Sequence, residues 1–411
     1  MIEQTIFNKL TTLAESAKYD VSCASSGRDQ KNNGKLGNSI SAGICHTWSS
    51  DGRCVSLLKT LMTNDCVYDC AYCINRCSND IPRASFEVEE IVKLTIAFYR
   101  RNYIEGLFLS SAVEVNPNYT MEKIVQVLKL LREREGFAGY IHVKAIPGAD
   151  QRLIYLAGLL ADRMSVNIEL PSEKSLKLLA PQKQPKKLFL PMTQIRESII
   201  RTKDEQRRFH NTPNFVPAGQ STQMIVGASD DSDRSILMTS EKLYQSYKMR
   251  RVYYSAYMPV NDDKLLPSIQ TAPPLLREHR LYQADFLLRF YKFTAKEILT
   301  EEESNFDLDF DPKMNWAFRN IQEYPKEINK VTYDELLRIP GIGTISASRI
   351  FKQRRLMKVR FEDLKKMGVV VKRAKYFITC DGKFYGYKSL EVEAIKAALN
   401  PPSPYTQLSL F

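Results

Sequence analysis

Cys66, Cys70 and Cys73 stand in the run Thr63-Asn-Asp-Cys-Val-Tyr-Asp-Cys-Ala-Tyr-Cys-Ile74, a C-x3-C-x2-C array directly after the apolar stretch 55–61. Three thiolates hold three irons of a four-iron, four-sulfide cube and leave the fourth iron open to a small chelating ligand. A zinc site would want a fourth Cys or His. Cys77 could complete a four-cysteine set, either for zinc or for an electron-transfer cluster with C-x2-C-x2-C-x3-C spacing. Zinc ligands usually come as two close pairs, which this array lacks. Outside such a set, Cys77 is expected to be a buried thiol, or else a hydrogen donor on the substrate side. Cys23, Cys45 and Cys54 precede the triplet at scattered spacings and, with Cys77, could hold an auxiliary cluster.

The elements that must position these cysteines follow from the periodicity of residues 51–259. Short apolar runs at 55–61, 106–109, 141–146, 164–170, 223–226 and 252–257 predict strands, each bounded by polar residues, Gly or Pro. Helical patterns lie between them. In 86–102 the residues Val88, Ile91, Val92, Leu94, Thr95 and Phe98 share a broad face, Ser85 is a candidate N-cap, and Glu87, Glu89 and Glu90 sit in the first turn, where the helix dipole favours acids. The stretch 121–135 repeats the pattern with Ile124, Val125, Leu128 and Leu131. Six strand-helix units imply an α/β fold with parallel pairing and right-handed crossovers. In barrels of this kind the active site lies at the strand C-termini, where the cysteine loop and the remaining polar motifs fall.

The triplet, with aromatic Tyr72 just before its last cysteine, resembles the signature of the radical S-adenosylmethionine (SAM) superfamily. The resemblance implies a partial (βα)6 barrel, a 4Fe-4S cluster on Cys66, Cys70 and Cys73, and SAM chelated to the open iron. An electron from a donor such as flavodoxin or ferredoxin then cleaves SAM to a 5′-deoxyadenosyl radical. It also implies cofactor contacts at the strand ends. Ser110 and Ser111 occupy the place of the family's two glycines, with Glu114 the acid two positions late, to hold the SAM amino group. Asn167 and Glu169 fall where the ribose binds. Ile225 and Gly227 follow the family's G-x-I-x-G-x-x-E against the adenine, with Asp230 for the acid. Arg196 is similar in position to an arginine that pairs with the SAM carboxylate, and Lys144 is a SAM or substrate contact.

A chain of 411 residues exceeds what one core organises, so two or more domains are expected. Four of its eight cysteines crowd between 66 and 77, which does not look like a disulfide framework. With no apolar run of membrane-spanning length and no signal-like N-terminus, the expected location is cytoplasmic, with no membrane partner. The net charge of +12 is concentrated: residues 330–411 hold sixteen Lys and Arg against seven Asp and Glu. Such a field draws a polyanion.

The segment 273–291, rich in arginine and aromatics, reads as an amphipathic packing helix that could cap the open side of the barrel, and acidic 301–311 marks a boundary. Beyond it, 332–350 looks like a helix-hairpin-helix. Gly341 and Gly343 flank Ile342 in the hairpin, and free amides at the second helix start meet a phosphate of DNA. Lys352, Arg354, Arg355 and Lys358 continue the basic edge. Residues 361–375 resemble a second hairpin in which Gly368 lacks a partner glycine, so this copy is expected to be scaffold. The last residues, Gln407-Leu-Ser-Leu-Phe411, look like the peptide by which bacterial replication and repair proteins dock on the DNA sliding clamp, with Leu408, Leu410 and Phe411 filling apolar pockets and Gln407 setting register. The expected organisation is an N-terminal segment 1–50, a barrel with its cap at 51–300, a linker 301–330, a small all-α hairpin module 331–380 and a tail 381–411.

Along nearly its whole length, including Tyr119-Thr-Met-Glu122, Arg277-Glu-His-Arg-Leu-Tyr-Gln-Ala-Asp285 and Asn305-Phe-Asp-Leu-Asp309, the chain resembles bacterial radical-SAM proteins described as DNA modification or repair proteins. Their genes are often paired with a uracil-DNA-glycosylase-like partner. The implied activity is radical chemistry on a DNA nucleotide. Two other readings stay open: an RNA-modifying radical-SAM enzyme (methylation or methylthiolation), and a non-enzymatic iron-sulfur protein that binds DNA or senses damage.

Overall fold

The computed structural model describes residues 4–17, 44–48, 54–386 and 390–399. The chain forms two compact units, one of 1–231 with 242–278 and the other of 232–241 with 279–411.

The first unit is built on a seven-stranded sheet in sequential order: β1 (Ile44–Trp48), β2 (Cys54–Leu61), β3 (Gly106–Ser110), β4 (Tyr140–Lys144), β5 (Arg163–Ser165), β6 (Gln220–Val226) and β7 (Arg251–Ala256). β1 pairs antiparallel with β2, and every later pair is parallel. β7 does not pair back onto the first strands, so the six parallel strands form an open, partial (βα)6 barrel. Helix α1 (Gln4–Ala17) packs on β2, and α2 (Val88–Arg100), α3 (Pro117–Lys129), α4 (Gln151–Leu160) and α6 (Pro185–Gln206) pack on one another in succession, with short α5 (Glu173–Leu179) before α6. Four of these helix starts have a sequence reason. Asn116, Asp150 and Ser172 accept first-turn amides, and Glu87 and Glu90 form a reciprocal cap on α2. Glu87, not Ser85, is the cap, because the Ser85 hydroxyl is paired with Thr63 at 2.6 Å.

Two strand expectations change. β1 has no counterpart in the sequence reading, since a five-residue edge strand with His and Thr between apolar residues lacks a clean period. The strand expected at 164–170 is only three residues long. The chain breaks away after Ser165 and returns to β6 at Glu169, which bridges Met224 in the left-handed region at φ +65°.

Helix α7 (Asp233–Tyr247) and helix α8 (Leu275–Phe290) each contribute to both units. The second unit continues with α9 (Ala295–Ile298), α10 (Pro312–Arg319), β8 (Lys326–Glu327), α11 (Tyr333–Arg338), α12 (Thr344–Gln353), α13 (Asp363–Lys366), α14 (Val371–Ala374), β9 (Ile378–Cys380), β10 (Lys383–Phe384) and α15 (Val392–Leu399). It is mainly helical and carries in addition a small three-stranded sheet. The segment 301–330, expected as a linker, is instead part of this unit's core: Phe306, Met314, Trp316, Ala317 and Phe318 are buried, and burial of that much apolar surface holds the segment in place. On α8 the faces are split, with Leu281, Ala284 and Leu287 buried while Phe286 and Phe290 stay about half exposed.

Candidate functional site

A cavity of about 580 Å³ opens at the C-terminal ends of the parallel strands. The loop after β2 supplies Cys66, Cys70 and Cys73 to its wall, together with Tyr68 and Tyr72. This loop is fixed from several sides. Val67 N–H donates to Val113 O (2.8 Å) and Ala71 N–H to Leu179 O (2.8 Å). Arg83 donates to four loop carbonyls, those of Asn64, Asn75, Arg76 and Asn79. Buried Asn261 donates to Ala71 O at 2.7 Å and accepts from Asn79, which also donates to Ile74 O. Arg76 bridges Asp69 and Asp263, and its hydrogen bonds hold the Asp69 carboxyl well below the usual carboxylate range.

The three sulfurs lie close enough to feel one another's charge. Burial raises the Cys70 thiol, with Lys183 opposing and Cys66 adding to the rise. Burial pushes Cys73 up to about 12, and the Cys70 charge adds to it. As bare thiols Cys70 and Cys73 hold their protons at neutral pH, and a positive charge beside them would favour their ionisation. Among the described residues no three His, Cys, Asp or Glu side chains converge on a single ion. Cys77, expected to be a buried thiol, is exposed and absent from the cavity wall, because its amide is tied to Tyr68 O on a turn that faces solvent. Cys45 is buried against Val55, Leu57 and Phe108, Cys54 is exposed, and Cys23 lies outside the described residues.

Opposite the cysteines, the strand ends contribute polar groups that are costly to bury without partners. Ser110 Oγ and Asn167 Oδ1 are buried and have no hydrogen-bond partner, as is Asn75 Oδ1 on the cysteine loop itself, while Asn167 Nδ2 donates to Gln223 at 3.3 Å. Glu169 accepts from Lys183 (3.5 Å) and lies 3.7 Å from Lys144. Lys183 also donates to the Tyr72 hydroxyl at 3.2 Å. Burial opposes the Lys183 charge, but its Tyr72, Glu169 and Cys70 neighbours outweigh that and hold its pKa well above the ordinary lysine value. Lys183 was not foreseen. It lies in Ala180-Pro-Gln-Lys-Gln-Pro185, between two prolines, where no periodicity marks a side chain as inward.

Of the ten cofactor contacts expected from the sequence, Tyr72, Ser110, Ser111, Lys144, Asn167, Glu169 and Ile225 line this cavity. Three do not. Glu114 is turned to Lys123 (3.1 Å), since the displaced acid falls beyond the strand end. Arg196, on α6, donates to Ser246 O (2.8 Å) and Glu197. Gly227, at φ +83°, serves packing instead: a Cβ there would meet Pro274 Cγ at 2.8 Å.

In the second unit, α11 and α12 are joined by a turn in which Gly341 takes φ +84° and Ile342 is buried. Gly343 precedes α12 with an ordinary φ of −96°. The first amides of α12, at Thr344 and after, have no intrahelical acceptor. Lys352 and Arg355 are exposed, whereas Arg354 is spent inside the protein, donating to Ile328 O and Val331 O. The second hairpin, α13 and α14, also places its glycine, Gly368, at φ +84°. Gln407, Leu408, Leu410 and Phe411 lie outside the described residues.

No protein-family profile and no curated protein matches the chain. Solved structures resemble it in part. The FeFe-hydrogenase maturase HydG from Carboxydothermus hydrogenoformans has 14% identity over 56% of this chain and 50% of that one, with a TM-score of 0.39. Methylornithine synthase (PylB) has 13% identity over 56% and 60%, with a TM-score of 0.41. The cobalamin-dependent S-adenosylmethionine radical enzyme OxsB has 11% identity over 60% and 35%, with a TM-score of 0.32. The chain thus spans about half the length of the solved structures it matches first. Among the described residues no helix is long and apolar enough to cross a membrane.

Proposed function

We propose that this chain is a radical-SAM enzyme that acts on DNA. The observation that carries the first half is the wall of one cavity: three cysteines of a single tethered loop, with the unpartnered Asn75 oxygen of that same loop, unpartnered Ser110 and Asn167 oxygens from the strand ends, and Cys77 turned away so that it does not supply a fourth thiolate. Cys66, Cys70 and Cys73 would hold a 4Fe-4S cluster. Bound there, the cluster would supply the electron for reductive cleavage of SAM. The residues around it line the cavity with apolar Leu61, Val113, Leu188 and Ile225, and present an ammonium pair, Lys144 and Lys183, about one carboxylate. This arrangement suits a zwitterionic ligand beside an apolar surface.

The second half rests on the hairpin of α11 and α12, the exposed Lys352 and Arg355, and the basic excess of residues 330–411. These groups hold the sugar-phosphate backbone without reading sequence. Partners proposed on the tail and on the resemblance are the bacterial sliding clamp, a uracil-DNA-glycosylase-like protein and a flavodoxin or ferredoxin.

Anaerobically reconstituted protein with dithionite and SAM should release 5′-deoxyadenosine, and Cys70→Ala should abolish the release. Persistence in the variant would refute the cluster assignment. Nucleosides from DNA of cells with and without the gene, compared by mass spectrometry, test the substrate class.

A further inference from the structure

Lys313, on α10, is nine-tenths buried, yet it is an ammonium-bearing side chain in an apolar core. Its Nζ donates to the carbonyl of Ile342 at 2.6 Å, inside the turn between α11 and α12, and lies 4.8 Å from the centre of the Tyr291 ring. Tyr291 in turn approaches the same turn, with its hydroxyl 3.4 Å from where a Cβ on Gly343 would stand. Two residues earlier, Asp311 caps α10 through Met314 N–H and pairs with Arg373 of α14 at 2.7 Å. The first turn of α10 therefore fastens both hairpins, Lys313 the first and Asp311 the second. Gly341 completes the contact, with its carbonyl accepting from Val370 N–H at 2.9 Å.

We propose that Lys313 is a positioning residue of the first hairpin: its buried ammonium holds the Ile342 carbonyl in place and adds a fixed positive charge behind the amides that open α12, setting the turn to receive a DNA phosphate. The proposal rests on the DNA reading above and deepens it. A buried cation with one oxygen acceptor and one ring face is costly to maintain. Its charge sits behind the amides that open α12, which have no intrahelical acceptor.

The charged and titratable groups around it are Asp311 on its own helix, Arg373 beyond Asp311, and the phenol of Tyr291. Asp311 favours the ammonium, and burial raises the Tyr291 phenol above its usual value, so Tyr291 stays neutral. Burial brings Lys313 itself down to about 7, which places the loss of its charge near neutrality.

The test uses the full chain with a blunt duplex at low salt, binding followed by anisotropy at about pH 6 and about pH 8.5, either side of the Lys313 titration. The wild type should bind about tenfold more tightly at the lower pH, and Lys313→Met should lose most of that pH difference, a change worth about 1.4 kcal/mol. In parallel, amide hydrogen exchange at 342–346 in the free protein should be slower at low pH than intrinsic chemistry predicts in the wild type and not in Lys313→Met. Met fills the same space without charge, and its circular dichroism reports whether the unit stays folded. Equal pH dependence in both proteins, by binding and by exchange, overturns the proposal. Should the wild type bind no duplex at all, the DNA reading and the phosphate role fall together. If the wild type binds and the variant keeps the full pH response, only the role of Lys313 falls.

Discussion

Glu169 concentrates more physical tension than any other described residue of the cavity. It is a non-glycine at φ +65°, its backbone is clamped by Ile225 N–H at 2.7 Å and by its own N–H on Gln223 O, and its carboxylate answers two ammonium groups. Left-handed backbone at such a residue costs on the order of 1 kcal/mol and persists only where the surroundings over-determine it. Glu169→Gln keeps shape and removes charge, leaving Lys144 and Lys183 to face each other. The expected loss is about 2 kcal/mol in urea unfolding, less than for a fully dry pair because both lysines retain some exposure. An unchanged midpoint would show that water already screens the cluster. Lys313 gives a second test, with a definite sign. Its folded pKa of about 7 lies below the ordinary lysine value of 10.5, so between the two the unfolded chain holds the extra proton and stability from this site rises with pH. Lys313→Met should flatten the rise in urea midpoint from about pH 7 to about pH 10. That Cys66, Cys70 and Cys73 share one cavity wall was legible from their close spacing on a single loop after an apolar strand. Lys183 and Lys313 were not, because a lysine in sequence looks solvated and only packing shows otherwise.

At the scale of the element, the hairpin shows what a glycine motif does and does not encode. Gly341 and Gly343 look equivalent in sequence, yet only Gly341 needs to be glycine: at φ +84° an added Cβ would also lie 2.7 Å from Val370 O. Gly343 has ordinary φ, and its nearest neighbour is the Tyr291 hydroxyl at 3.4 Å. Gly341→Ala should therefore destabilise the protein by about 2 kcal/mol or more, and Gly343→Ala by about 0.5 kcal/mol or less, read as shifts in thermal unfolding. Comparable losses would mean that the turn relaxes around either side chain. The parallel strands were readable where an apolar run is buried on both faces, as in Gly106–Ser110, whereas the polar start of Gln220–Val226 left only its end, 223–226, visible. β5 was overread, because Asn167 and Glu169 alternate with Val166 and Ile168 as a strand would, while the chain has already turned inward to aim both polar groups at the cavity.

For the whole molecule, charge is the property that sequence states most plainly and structure must then sort. The sixteen basic residues in 330–411 are not equivalent. Arg354 donates to Ile328 O and Val331 O and lies 4.6 Å from the Phe351 ring, so its charge is committed to holding α12 to the small sheet's connection. Lys352 and Arg355 are exposed, with the Arg355 guanidinium 4.8 Å from the Phe351 ring, and the exposed Lys358 is paired with Asp381 at 2.7 Å. Counterion release gives each distinction a number. Every phosphate neutralised on a duplex adds about 0.9 to the slope of log affinity against log salt. The double variant Lys352→Ala, Arg355→Ala should lower that slope by about 2 and leave thermal stability within about 0.5 kcal/mol. Arg354→Ala should do the reverse, keeping the slope and losing about 1–3 kcal/mol of stability as two carbonyls lose their donor. Titrating one fluorescent duplex over a salt series with all three proteins decides the matter. Equal slopes throughout would place the nucleic-acid contact elsewhere on the chain, and a fall in slope for Arg354→Ala alone would mean that its guanidinium leaves the protein interior to meet a phosphate.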